Sequence, residues 1–167
     1  MILAIGPLVI SWTLGPALVP QFVVCEQMTR SLYSIAMLPV VAAEPFISLA
    51  HSRGEVTHLQ QLLRRNILLG GALLSVGAVL LAVFGREVAG VWVGYDKFPG
   101  QTTLYLLIIM YVLESHHVIH ASVAIALGKI PFVISSLSAG AVNVLLGFTF
   151  VPRYGVVGMA MATLLSQ

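Results

Sequence analysis

Two groups of ionisable residues interrupt otherwise apolar stretches of the chain. Residues 114–120 read ESHHVIH, so Glu114 and His117 fall on one helical face while His116 and His120, four apart, fall on the next. Three chemistries fit this pattern. Histidines at i and i+4 can chelate a metal, but HHxxH alone is a short signal, and the remaining histidines, His51 and His58, sit in a separate polar segment. A carboxylate beside imidazoles can take up and release protons near neutral pH. The third reading is a set of polar side chains hydrogen-bonded around a wet cavity.

The second group is Glu26 and Arg30, an acid four residues before a base, which is the favoured order for pairing along a helix. Ionisable residues at membrane depth are costly and face the interior of a bundle. The pair is either an internally neutralised structural element or a site where the planar guanidinium of Arg30 meets a phosphate or carboxylate. A further candidate is Asn143, which shares a helical stripe with Ser136, Gly140 and Gly147; Gly155, Gly158 and Ala162 form a second stripe. Small residues let helices approach closely, so tight packing is the plain reading of both stripes, and Asn143 is the member able to line a polar cavity.

Several chemistries find no support. The lone Cys25 excludes an internal disulfide and a CxxC site, and reads as a small packed hydrophobe. The chain has no GxxxxGK[ST], GxSxG or HExxH pattern, so no P-loop is present, nothing argues for an enzyme, and neither a cofactor nor a resident metal is expected.

The elements that carry these residues follow from composition. Of 167 residues, 59% are hydrophobic and 8% charged, against about 25% charged in a soluble domain. Mean hydropathy is +1.01. The expectation is an all-α, polytopic transmembrane bundle of about six helices forming a single transmembrane domain over 1–167, with spans at about 1–14, 17–50, 66–84, 104–127, 132–151 and 155–167. Pro39 and Pro45 are expected to kink the second span, with Glu44 at its boundary. Residues 51–65 read as a polar segment with a short surface helix, and 85–103 as a mixed loop carrying Trp92, Tyr95 and Phe98. Turns are expected at Gly128–Pro131 and at Pro152–Gly155.

Net charge is +2, and no basic cluster is interleaved with aromatics, so nucleic acid is not an expected partner. Arg53, Arg64, Arg65 and Lys129 fall on one side of the bundle and Arg86, Lys97 and Arg153 on the other. Arg64 and Arg65 abut a span entry, which places 51–65 in the cytoplasm. No basic residue precedes the first apolar run, so that run reads as a retained helix rather than a cleaved signal.

The run GKIPFVISSLSAGAVNVLLGFTFVPRYGVVGMAMATLLSQ resembles the carboxyl-terminal half of the polysaccharide flippases of the multidrug/oligosaccharidyl-lipid/polysaccharide exporter superfamily. The shared features, in order, are a Gly-Lys turn at Gly128 and Lys129, Asn143 in the next helix, the V-P-x-Y-G-x-x-G turn from Val151 to Gly158, and the small-residue run from Ala160 to Ser166. EPFISLAHSRGEV is similar to the family's cytoplasmic loop, matching at Pro45, Ser48 and Gly54.

The resemblance implies one half of a transporter of about twelve helices that moves a lipid-linked oligosaccharide, on a polyprenyl pyrophosphate carrier, across the plasma (inner) membrane by alternating access. A complete flippase is more than twice this length, so the chain is expected to be a fragment that works with a second transporter half. A multidrug or metabolite cation-coupled antiporter of the same superfamily, and a structural membrane subunit without transport of its own, are the alternatives. Burial logic assigns substrate contact to Arg30 and Asn143, and proton or sodium coupling to Glu26, Glu114, His117 and His120. The expected partners are the lipid-linked oligosaccharide or an amphipathic small molecule, and membrane lipid.

Overall fold

The computed structural model describes residues 5–126 and 133–167. Among the described residues there are helices and no strands. Helix α1 covers Ile5–Leu14, α2 Val19–Ser52, α3 Val56–Val93, α4 Gln101–Ala126 and α5 Val133–Leu165, with single 3-10 turns at Pro16–Leu18 and Tyr95–Lys97. The expected turn at Gly128–Pro131, with Lys129, lies outside the described residues. Among the described residues four segments are long and apolar enough to cross a membrane: Pro16–Ser52, Val56–Val93, Gln101–Ser122 and Val133–Leu165. This makes the protein a membrane protein of several helical spans.

Helix α2 starts where Gly15 adopts φ 91 and Pro16 follows it. Pro20 then falls in the first turn, where a missing N–H removes no helical bond. The helix runs through Pro39 and Pro45 and ends before Gly54, whose φ of 69 suits glycine.

Helix α3 corrects the sequence reading. A separate surface helix within 51–65, a third span over 66–84 and the first part of the expected 85–103 loop are instead one 38-residue helix, Val56–Val93, about 57 Å long; the connection to α4 is confined to 94–100. The charges that read as boundaries do not break it. Arg64 and Arg65 before it and Arg86 after it bracket the uncharged stretch Asn66–Gly85, which at about 20 residues spans roughly the 30 Å of a bilayer core. The helix simply continues past both edges.

In α5 the chain reverses at Gly155, whose φ 63, ψ −143 is not helical. A Cβ on Gly158 would run into the backbone of Phe150 and Val151, and the Asn143 side-chain amide donates to the Ser166 hydroxyl at 3.0 Å. The arm after Gly155 therefore lies back along the arm before it.

The main core gathers Ile10, Phe22, Leu104, Leu107, Val151 and Met159 from α1, α2, α4 and α5. A second core joins α2, α3 and α4 through Ala36, Met37, Val40, Leu74 and Ile119. Glycines set the approach of α3: Gly70 packs on Met37 and Val40, Gly77 on Leu32, and Gly85 on Leu104 and the tip of Met28. The two helices are thus antiparallel, and Arg30 stands opposite the Arg86-side third of the uncharged run. The outward side of α3, with Leu68, Val76, Val79, Leu80 and Val83 each more than half exposed, is suited to lipid.

Candidate functional site

Helix α2 positions a charged pair with a buried half and an open half. Arg30 Nη1 lies 3.5 Å from Glu26 Oε1; the Glu26 side chain is 8% exposed and that of Arg30 54%. One helical turn separates them, so the helix itself fixes the pairing. From α4, the Tyr111 hydroxyl reaches the same Glu26 oxygen at 3.5 Å. Its ring leans on Tyr33 of α2, centroids 5.1 Å apart. Glu26 is held from two helices while Arg30 keeps most of its donors unused.

Arg30 does not stand alone on its face. Gln27, Ser31 and Ser34 are exposed beside it, and with Ile35 these residues line a concavity of about 430 Å³. The spacing of 27, 30, 31 and 34 is that of one helical face. This stripe points away from the core of the described helices.

Glu114 occupies a neighbouring position on α4, within electrostatic reach of the Tyr33 and Tyr111 hydroxyls. It interacts with His117, one turn along, and accepts a hydrogen bond from the Gln167 side-chain amide. Glu114, His117 and Ser136 line an otherwise apolar cleft of about 470 Å³ between α4 and α5. His120 belongs elsewhere: its ring pairs with His116 at 4.7 Å, both exposed. Among the described residues no three His, Cys, Asp or Glu are grouped to hold a metal ion.

Asn143 is fully buried between the arms of α5. Its amide nitrogen bonds Ser166, while its oxygen has no partner among the described residues. Of its sequence stripe, Gly147 is buried against Val9 and Met159, but Ser136 is exposed and Gly140 faces open space. The packing face is thus the 143–147 half of that stripe.

The proposed site residues therefore fall in four places, Glu26–Arg30, Glu114–His117, His120 beside His116, and Asn143 beside Ser166; Tyr111 touches Glu26 and is within electrostatic reach of Glu114. Tyr111, Tyr33 and the Gln27–Ser31–Ser34 face were not singled out in the sequence. A signal for the tyrosines was present, since both lie away from the span ends where such residues usually sit. Comparison with protein-family models, with characterised proteins and with solved structures gives no match.

Proposed function

We propose that this chain is one half of a flippase that carries a lipid-linked oligosaccharide on a polyprenyl pyrophosphate across the plasma membrane, not an enzyme. The observation that carries the reading is the exposed polar face of α2. A guanidinium anchored on one side by Glu26 and surrounded by Gln27, Ser31 and Ser34 is badly matched to lipid tails and well matched to a hydrated path. Its unused, fork-shaped donors suit pyrophosphate oxygens.

In this reading the chain makes six passes, with α1 and the two arms of α5 counted separately, and residues 51–65 are cytoplasmic. A second half faces α2 and closes the path. Arg30 receives the carrier's anionic group, Asn143 braces the two arms of α5 behind the cavity wall, and Glu26 and Glu114 with His117 and His120 couple the conformational cycle to protons or sodium. A cation-coupled antiporter for amphipathic small molecules would use the same face, and a structural subunit would not use it at all.

The test is reconstitution of the chain with its second half in vesicles containing a short-chain polyprenyl-pyrophosphate glycan. Accessibility of the glycan to an external lectin reports flipping. The expected result is acceleration over protein-free vesicles that Arg30→Ala abolishes and Arg30→Lys partly retains. Equal rates for the parent and Arg30→Ala would remove Arg30 from the path, and no acceleration by the parent would sink the flippase reading.

A further inference from the structure

Helix α3 leaves two adjacent guanidinium groups unpaired where its uncharged run begins. Arg64 and Arg65 are exposed, and neither has a hydrogen-bond or ion-pair partner among the described residues. The acids at this end, Glu44 and Glu55, are exposed and lie outside ion-pair distance of either arginine. With the run Asn66–Gly85 matching the roughly 30 Å hydrocarbon thickness, both side chains stand at headgroup level. Helical side chains also lean toward the amino terminus, here away from the apolar run.

Two clefts flank them. One, of about 410 Å³, is lined by Gln61, Arg64 and Arg65 above and by Leu68 and Leu69 below. The other, of about 240 Å³, lies between α2 and α3, with Phe46 and Leu62 at its outer end, Arg65 and Asn66 midway, and Pro39 and Leu69 at the end toward the apolar run. Arg65 and Leu69 belong to both clefts and form the ridge between them.

We propose that this is a binding site for an anionic diacyl phospholipid. The phosphate sits on Arg64 and Arg65 with the Gln61 amide beside it, and one acyl chain lies in each cleft, astride Leu69. Two unpaired cations with no acid in contact select an anionic headgroup over a zwitterionic one. Two largely apolar clefts on either side of the Arg65–Leu69 ridge select two chains over one. The proposal needs only that the chain sits in a bilayer, and is independent of what it transports.

The test uses the full chain in vesicles, with Leu69→Trp placing an indole on the ridge shared by both clefts and Trp12→Phe and Trp92→Phe removing the native ones. Brominated phosphatidylglycerol is expected to quench the indole with a relative affinity about 10-fold above that of brominated phosphatidylcholine. The pair Arg64→Gln and Arg65→Gln brings the ratio to about one, whereas Arg64→Lys with Arg65→Lys keeps most of it. Equal quenching in the parent, a preference that survives the glutamine pair, or an indole shielded from both lipids overturns the proposal. Displacement by lysophosphatidylglycerol as effective as by the diacyl lipid overturns the two-chain assignment.

Discussion

The Tyr111 hydroxyl and the Arg30 guanidinium converge on one oxygen of Glu26, each at 3.5 Å. Two helices are joined at a single buried carboxylate, through residues 85 positions apart in sequence. The distances are at the long limit of hydrogen bonding, so the attraction is mainly electrostatic, and the ring contact between Tyr33 and Tyr111 supplies the packing that holds them in range.

Removing the hydroxyl alone should therefore cost little. Tyr111→Phe keeps the ring against Tyr33 and is expected to lower stability by roughly 0.5–1 kcal/mol. Denaturant unfolding in mixed micelles measures it. A double-mutant cycle with Glu26→Gln should show the two changes to be non-additive, and additive losses would mean that the two side chains do not interact.

The Glu26–Arg30 pair could be read from spacing because a helix brings i and i+4 together whatever surrounds it. Tyr111 could not, since no local pattern links two residues on different helices. The reversal at Pro152–Gly155 was equally legible as a Pro-to-Gly turn signal, with the helix running through Pro152 and breaking at Gly155, whose positive φ suits glycine. The length of α3 was not. Arg64, Arg65, Arg86 and Glu87 mark where the membrane ends, and charge at those positions says nothing about where the helix ends. Among the described residues four long apolar helices are seen where about six spans were expected, because the described part of α1 covers 10 residues and the arms of α5 form one broken element.

The hairpin in α5 separates glycines that look alike in sequence. Gly158→Ala would push a methyl group into the Phe150–Val151 backbone, which cannot step aside, and should cost about 1–3 kcal/mol. Gly155→Ala should cost a similar ~1–3 kcal/mol through its positive φ of 63. Gly140→Ala meets nothing within 4 Å and should be neutral or stabilising by up to about 1 kcal/mol. Thermal unfolding of the three variants checks this order, and equal losses would contradict the reversal.

Asn143 and Ser166 tie the two arms together. Asn143→Ala and Ser166→Ala should each cost about 1 kcal/mol, and the double variant scarcely more. The same unfolding assay applies. An Asn143→Ala protein of unchanged stability would show that the 3.0 Å bond does not hold the arms together.

On the loop between α3 and α4, the Lys97 ammonium lies 2.8 Å from Asp96 and holds that carboxyl below the usual range of aspartate. The shift favours the charged form in the folded protein. Its contribution is present above the ordinary aspartate pKa of about 4 and is lost as pH falls through the lowered folded value. Because Asp96 is fully exposed, the effect on stability near pH 7 should be undetectable. Lys97→Ala should move the Asp96 titration upward, as seen by carboxyl NMR; an unchanged midpoint would exclude the ion pair in solution.

The central claim is that the Arg30 face of α2 meets water rather than lipid, and thiol accessibility measures this directly. The native Cys25 is buried and supplies a silent background. Ser31→Cys and Ser34→Cys, introduced singly into the full protein in membranes, should react with a membrane-impermeant charged thiol reagent. Val79→Cys, on the lipid-facing side of α3, should not. Soluble pyrophosphate should slow labelling at Ser31→Cys when Arg30 is present and leave it unchanged in Arg30→Ala. Cysteines at 31 and 34 as inert as the one at 79 would contradict the account.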